Sequence, residues 1–299
     1  MTTLPESNMT PGHLFCFGLG YTAQRLGRRL LDAGWRVSGT TRATDALDGL
    51  RAVGFTAHLF NGEAQMAQPA EALSGVTHII ASIPPAELGD MALHHHRDTL
   101  KSCEALRWMA YLSTPAVYGD RDGAHVSEED APTPGSPRGE RRLAAEQAWV
   151  SAFDNSSVSA QVFRLAGIYG PGRNAIEQVQ SGTARIIDKP GQVFNRIHVD
   201  DIGSILMASM ARPNHGRVYN VADDLACPSG EVIRHACALI GAEPPAPIPY
   251  GSSELSAMAK SFYAECKRLR NDRIKDELGV RLTYPTYHEG LAAILVGGT

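Results

Sequence analysis

The chain has 299 residues, 43% of them apolar, enough to bury one large core or two smaller ones. Its 28 Lys and Arg stand against 32 Asp and Glu, a net charge of −4 with no basic or acidic block, which excludes a nucleic-acid footprint and a polyanionic tail. The 29 Gly and 18 Pro are too few for a disordered or collagen-like chain. Five cysteines, odd in number and without a C-x-x-C pair, speak against a disulfide framework and a zinc ribbon. Met1 to Gly12 is polar, without the basic-then-apolar profile of a signal peptide. No stretch reaches the roughly 18–20 apolar residues that span a bilayer. The expectation is a reduced, cytoplasmic, soluble protein with no nucleic-acid or membrane partner.

In chain order, the apolar run His13–Phe17 reads as a first strand. A helix follows over Thr22–Ala33, where Leu26, Leu30 and Leu31 recur at helical spacing and Gly34 suits the end. Further strands are expected at Trp35–Thr40, near Thr56–Phe60, and at His78–Ser82, Trp108–Ser113 and Val158–Leu165, with a helix from about Asp90 to Leu106. Strand alternating with helix predicts parallel strands joined by crossovers, an α/β doubly wound sheet of Rossmann type. The second half is broken by Pro190, Pro213, Pro228 and the prolines from Pro244 to Pro249. Helical pieces are expected there at Asp200–Arg212, Ser229–Gly241 and Ser253–Glu277. The division this suggests is a sheet domain over 12–172 with about 198–222, and a smaller cap over 173–197 and 223–299.

Between the first strand and helix stands Gly18-Leu-Gly20-Tyr21-Thr22-Ala23, which fits G-x-G-x-x-A. Gly18 makes the turn, Gly20 lets backbone N–H groups approach a pyrophosphate, and Ala23 permits close helix packing. The alternative is a plain glycine turn without a ligand. Strand two ends Val37-Ser-Gly-Thr-Thr41-Arg42, and the first carboxylate after it is Asp45, three residues late for an acid that would accept from a ribose 2′-hydroxyl. Thr41 and Arg42 offer instead a hydroxyl and a guanidinium fork for a 2′-phosphate, so NADP is expected over NAD. The alternative is that Arg42 stacks on the adenine or points to solvent. Asn61 and Ser82, at the ends of strands three and four, complete the expected cofactor set.

Ser113-Thr-Pro-Ala-Val-Tyr-Gly119, Arg164-Leu-Ala-Gly-Ile-Tyr-Gly-Pro-Gly-Arg173, Asn195-Arg-Ile-His-Val-Asp-Asp-Ile202 and Tyr219-Asn-Val-Ala-Asp223 follow in order. In these motifs the chain resembles the extended short-chain dehydrogenase/reductases, also called the NAD-dependent epimerase/dehydratase family, over about residues 13 to 225. The resemblance implies a Rossmann domain with a C-terminal substrate cap, a small-molecule substrate, and frequent homodimers. It also implies a catalytic Ser or Thr after strand five, followed by Y-x-x-x-K. Thr114 occupies the first position, but the later segment reads Ser136-Pro-Arg138-Gly-Glu-Arg-Arg142, with Arg138 at the Tyr position and Arg142 at the Lys position. No tyrosine lies between Tyr118 and Tyr169. Arginine stays protonated near neutral pH and cannot act as a general base, so an atypical branch is implied.

Tyr118 and Tyr169 are the weak alternatives for the missing proton donor, and Arg173, Asn174 and Arg196 are expected to meet the substrate. Arg138, Arg141 and Arg142 fall at i, i+3 and i+4 on a helix. They either grip an anion together or form a solvated face with Arg142 paired to Glu146. His198 reads as packing within its motif, and Cys16 as a small apolar residue of strand one. His94-His95-His96 points in three directions on a helix, so a surface helix is expected and no metal. Two functions remain open: an NADP-dependent oxidoreductase, epimerase or dehydratase on a sugar-nucleotide-like or small carbonyl substrate, and a catalytically inactive dinucleotide-binding sensor.

Overall fold

A computed structural model describes residues 10–252 and 257–297 of the protein. Most of the polar N-terminal segment, residues 1–9, and the first four residues of the helix expected from Ser253 lie outside the described residues. The chain forms two compact units. The first takes in the chain up to Thr114 with Pro137–Arg164 and Gly203–Tyr219; the second takes in Pro115–Ser136, Leu165–Ile202 and the chain from Asn220.

The first unit is built on β1 (His13–Phe17), α1 (Tyr21–Asp32), β2 (Arg36–Thr41), α2 (Ala46–Ala52), β3 (Thr56–Leu59), α3 (Pro69–Ala72), β4 (His78–Ala81), α4 (Met91–Lys101), β5 (Trp108–Ser113) and α5 (Pro137–Ser151). With the strands Ser159–Leu165 and Val218–Val221 these make a seven-stranded sheet. Its order is Val218–Val221, Ser159–Leu165, β5, β4, β1, β2, β3. Each pairing from Ser159–Leu165 to β3 is parallel. β1 and β4 are buried along their whole length, which is why, after their leading histidines, they read in the sequence as apolar runs. Phe15, Phe17, Ile79, Tyr111 and Trp149 fill the core on one side of the sheet.

The sequence suggested six strands; the seventh, Val218–Val221, is a four-residue strand at the sheet edge. The Val162 and Ala166 N–H groups donate to the Arg217 and Val221 carbonyls, so both chains advance together and this edge pairing is parallel too. Another departure is at α4: His96 is fully buried, not on a surface face. The Met66 N–H donates to its Nε2 at 3.1 Å, so Nδ1 carries the proton and donates to the Ala92 carbonyl at 2.9 Å, a neutral core histidine.

Pro115–Ser136 falls in the second unit because its partners lie late in the sequence. Tyr118 donates to Asn220, Glu128 accepts from the Asn220 N–H, and His125–Val126 pairs with Arg268–Leu269. Such pairings leave no local signature. The helix expected over Ser253–Glu277 is interrupted for the same reason. After the helix Ala257–Phe262, the Cys266 N–H donates to Asp120, and Asn195 binds the Lys267 carbonyl and Leu269 N–H, holding that stretch extended. Helix resumes at Asp272–Asp276. The second unit's own core gathers Tyr169, Ile176, Ile186, Ile233 and Leu291.

Candidate cofactor and catalytic site

The glycine turn occupies the C-terminal end of β1. Gly18 has φ +99°, and a Cβ built there would lie 2.8 Å from Ser82 Oγ, so only glycine fits. The turn is pinned by β2: the Gly18 N–H donates to Thr40 Oγ1 at 2.9 Å and the Leu19 N–H to the Thr40 carbonyl at 2.8 Å. Ser82 Oγ donates to the Phe17 and Gly18 carbonyls, so its hydroxyl holds the turn in shape. Nothing in the sequence marks Thr40, because its role depends on the pairing of β1 with β2.

Gly20 differs from Gly18: a Cβ built on it meets nothing within 4 Å. It precedes α1 in extended backbone, and no side chain caps that helix. The first-turn N–H groups of an α-helix have no intrahelical acceptor, and here they border open space at the positive end of the helix dipole. Tyr21 and Thr22 open α1 half-buried, while Ala23 is buried against the sheet. These residues fit a pyrophosphate. Thr41, Asn61 and Ser82 stand with the turn along the C-terminal ends of β1–β4, where open α/β sheets bind ligands. Arg42 is exposed beside Thr41, whose Oγ1 accepts from the Ala43 N–H. Asn61 is also exposed, and its amide is engaged by Glu63 on both sides.

At the end of β5, Thr114 is half-buried, and Ser113 before it donates to Glu146 Oε1 at 2.5 Å. Glu146 receives the Arg164 fork, Nε at 3.1 Å and Nη2 at 2.7 Å, and both side chains are buried. The expected Arg142–Glu146 pair is therefore absent. Arg142 is itself buried, and its Nη1 donates to the Leu112 carbonyl at 2.9 Å and the Tyr111 hydroxyl at 3.2 Å. Arg138 is exposed, so the guanidinium groups of Arg138 and Arg142 do not share an anion-gripping face. Burial drives the Tyr111 hydroxyl well above the usual tyrosine range, more than the neighbouring Arg142 lowers it. Asp90 is buried nearby and caps α4 by accepting the Ala92 and Leu93 N–H groups, and burial raises its carboxyl.

In the second unit Tyr118 is fully buried and donates to Asn220 at 2.8 Å, while Tyr169 donates to the Thr286 carbonyl. Both hydroxyls serve internal structure. Asn174 is likewise occupied: its Oδ1 caps the helix Ala175–Gln180, and its Nδ2 donates to Gly170 and Glu177. Arg173 is exposed. Arg196 is half-buried, with Nη1 donating to the Phe194 and Cys227 carbonyls at 3.0 and 3.3 Å. Asp223, whose electrostatics include Arg196, is pushed up to about 7 by burial, and its Oδ2 has no hydrogen bond. No helix among the described residues is long and apolar enough to cross a membrane.

A parallel seven-stranded sheet with a glycine turn at the end of its first strand defines a Rossmann-type α/β protein. The chain belongs to the NAD dependent epimerase/dehydratase family, whose model matches residues 18–222. It is similar to a functionally unknown conserved protein from Silicibacter pomeroyi DSS, with 47% identity and a TM-score of 0.88 over 96% of this chain and 99% of that one. Protein YeeZ of Escherichia coli (strain K12) is 27% identical over 277 residues, covering 90% of this chain and 94% of the relative. The fold is shared by MoeE5, solved in complex with UDP-glucuronic acid and NAD, at 21% identity and a TM-score of 0.75 over 94% of this chain and 96% of that one.

Proposed function

We propose that the protein is an NADP-dependent oxidoreductase, epimerase or dehydratase of a small carbonyl or sugar-nucleotide-like substrate, working without the Tyr/Lys pair. The observation that carries the reading is the open space above Gly20 at an uncapped helix start. The family's nicotinamide dinucleotide fits there, with Gly20 to Ala23 holding the pyrophosphate and Thr41 and Arg42 meeting the 2′-phosphate. When bound, it supplies or accepts hydride at the substrate carbon. Thr114 donates its hydroxyl to the substrate oxygen and orients it. Arg142 supports this position from below by tying α5 to the end of β5. Arg138 is an exposed cation of the first unit; in the second unit Arg173 is exposed and Arg196 half-buried, cations suited to an acidic substrate group. Asn174 is left to its capping role. General acid–base help is worth about 10²–10⁴ in rate, so turnover without the tyrosine is expected to be slow and to draw its proton from water.

Calorimetric titration of NADPH and NADH into the protein tests the cofactor assignment. Charge-assisted bonds to the 2′-phosphate are worth about 1.4–3 kcal/mol, so NADPH should bind roughly ten- to a hundredfold tighter. Equal or tighter binding of NADH overturns it. The inward Arg142 also favours the second reading, a dinucleotide-binding sensor. NADPH binding with no oxidation across a panel of carbonyl substrates would select that reading.

A further inference from the structure

Two of the three consecutive histidines of α4 grip one loop, Asn61 to Met66, which follows directly after β3. His95 Nε2 lies 3.0 Å from the Gly62 carbonyl, which can only accept, so that nitrogen carries the ring proton. The His95 backbone carbonyl in turn accepts from Gln65 Nε2 at 2.6 Å. His96 takes the opposite tautomer, its Nε2 accepting the Met66 N–H at 3.1 Å. One ring thus holds a carbonyl near the start of the loop and the next an N–H at its end. Gly62 sits in the left-handed region at φ +89°, and a Cβ built there would lie 3.4 Å from Met91 Cβ, so the loop runs close against the start of α4. His94, the third of the run, is exposed. No three His, Cys, Asp or Glu among the described residues gather to hold a metal ion.

This clamp meets the glycine turn on one side and the end of β2 on the other. The His96 ring packs on Phe17, the residue before Gly18, at 5.4 Å between centroids, and on Phe60 at 5.0 Å. Phe60 also meets the His95 ring at 6.1 Å. Thr41 of β2 pairs with Leu59 of β3, and the Phe60 N–H donates to the Thr41 carbonyl at 2.9 Å. Asn61 therefore leaves the sheet beside Thr41 and Arg42. Glu63 turns its carboxylate onto Asn61 Nδ2 at 2.7 Å. Burial holds the His96 ring below its ordinary value, against the Ala92 carbonyl and with a smaller lowering from His95. The ring is neutral near pH 7, as its accepting role requires.

Resting on the reading of this end of the sheet as a dinucleotide site, we propose that His95 and His96 are positioning residues for the adenosine half of the cofactor, holding the Asn61–Met66 loop where Asn61 flanks Thr41 and Arg42. A loop fixed in advance loses no freedom when the ligand arrives, whereas a released loop must be ordered at the expense of affinity.

Calorimetry on the full chain tests this with three probes: NADPH, adenosine 2′,5′-bisphosphate and reduced nicotinamide mononucleotide. His95→Ala changes a half-buried side chain and should leave the fold intact. It should raise the Kd of NADPH and of adenosine 2′,5′-bisphosphate at least about fivefold, the worth of one lost hydrogen bond. The nicotinamide fragment should bind unchanged. His95→Gln, whose amide can donate to the Gly62 carbonyl, should return most of the lost affinity. His96→Leu should speed hydrogen exchange at the Met66 amide and weaken the same two probes; should that variant fail to fold, the two His95 variants decide alone. A role in stability alone would shift the urea midpoint and leave all three Kd values in place. Full affinity for adenosine 2′,5′-bisphosphate in His95→Ala, or equal weakening of both fragments, overturns the proposal, while NADPH binding by the wild type keeps the cofactor assignment. No NADPH binding by the wild type overturns both.

Discussion

At Gly20 a side chain would project into empty space, whereas at Gly18 it would strike Ser82 and require φ +99°. The two glycines of one motif thus answer to different demands, the first to the packing of the turn and the second to the open space at the helix start. Gly20→Val sits in extended backbone that valine tolerates, so the variant should fold with nearly unchanged stability. It should lose the thermal shift that NADPH gives, because its side chain would displace the pyrophosphate from the helix N–H groups. A retained shift in Gly20→Val would place the ligand elsewhere. Arg42 calls for the complementary test. It is exposed beside Thr41, and Arg42→Ala should bring NADPH affinity down toward that of NADH, as read by calorimetry.

Along α5 the same residue type plays opposite parts. Arg138 is exposed in the first turn, while Arg142, one turn later, is buried beneath β5. Removing the Arg142 head group would leave the Leu112 carbonyl and Tyr111 hydroxyl without their donor, at a cost of about 1–3 kcal/mol for each buried group. Arg142→Met is therefore expected to lower the urea midpoint by an amount equivalent to about 2–4 kcal/mol. Arg138→Ala should stay within about 0.5 kcal/mol, the range for surface changes. Equal effects of the two substitutions would contradict the inward role of Arg142. Glu146 stands deeper in the same helix, bound to Arg164 and Ser113. Glu146→Ala strands a buried guanidinium and should cost about 3–5 kcal/mol in the same experiment.

For the molecule as a whole, pH acts through groups of opposite sign. His78 is almost fully buried against Trp35 and Trp108, and burial holds its ring down to about 3; His13 is held at about 4. In the unfolded chain both rings take a proton near 6.5, which the folded state refuses. Stability from these two is complete above pH 6.5 and is lost as pH falls toward 4 and 3. Asp223 runs the other way: raised to about 7, it loses stability as pH climbs from about 4 to 7. The bulk melting curve mixes these, so the clean measurement is a difference. Relative to His78→Gln, the wild type should lose about 2 kcal/mol of unfolding free energy between pH 7 and pH 5. A difference that does not change with pH would show that His78 titrates normally in the fold.

Features legible in the sequence are local or repetitive. Buried parallel strands such as β1 and β4 must be apolar on both faces, so they stand out as runs. A tight turn before a helix demands glycine at Gly18, and the helix Ser229–Ile240 ends on the left-handed Gly241, also where the sequence put it. Tertiary structure alone decided which charges meet. Spacing offered Arg142 to Glu146, but Arg164 came from the neighbouring strand with a two-pronged fork that a pair four apart on one helix could not match. Distance along the chain likewise hid the extended stretch around Cys266, whose backbone is claimed by Asp120 and Asn195. It hid the strand Val218–Val221, whose backbone partners Val162 and Ala166 lie 55 residues earlier in the chain. A partner more than fifty residues away leaves no trace in local spacing, because its contribution arises only once the chain has closed the loop between them.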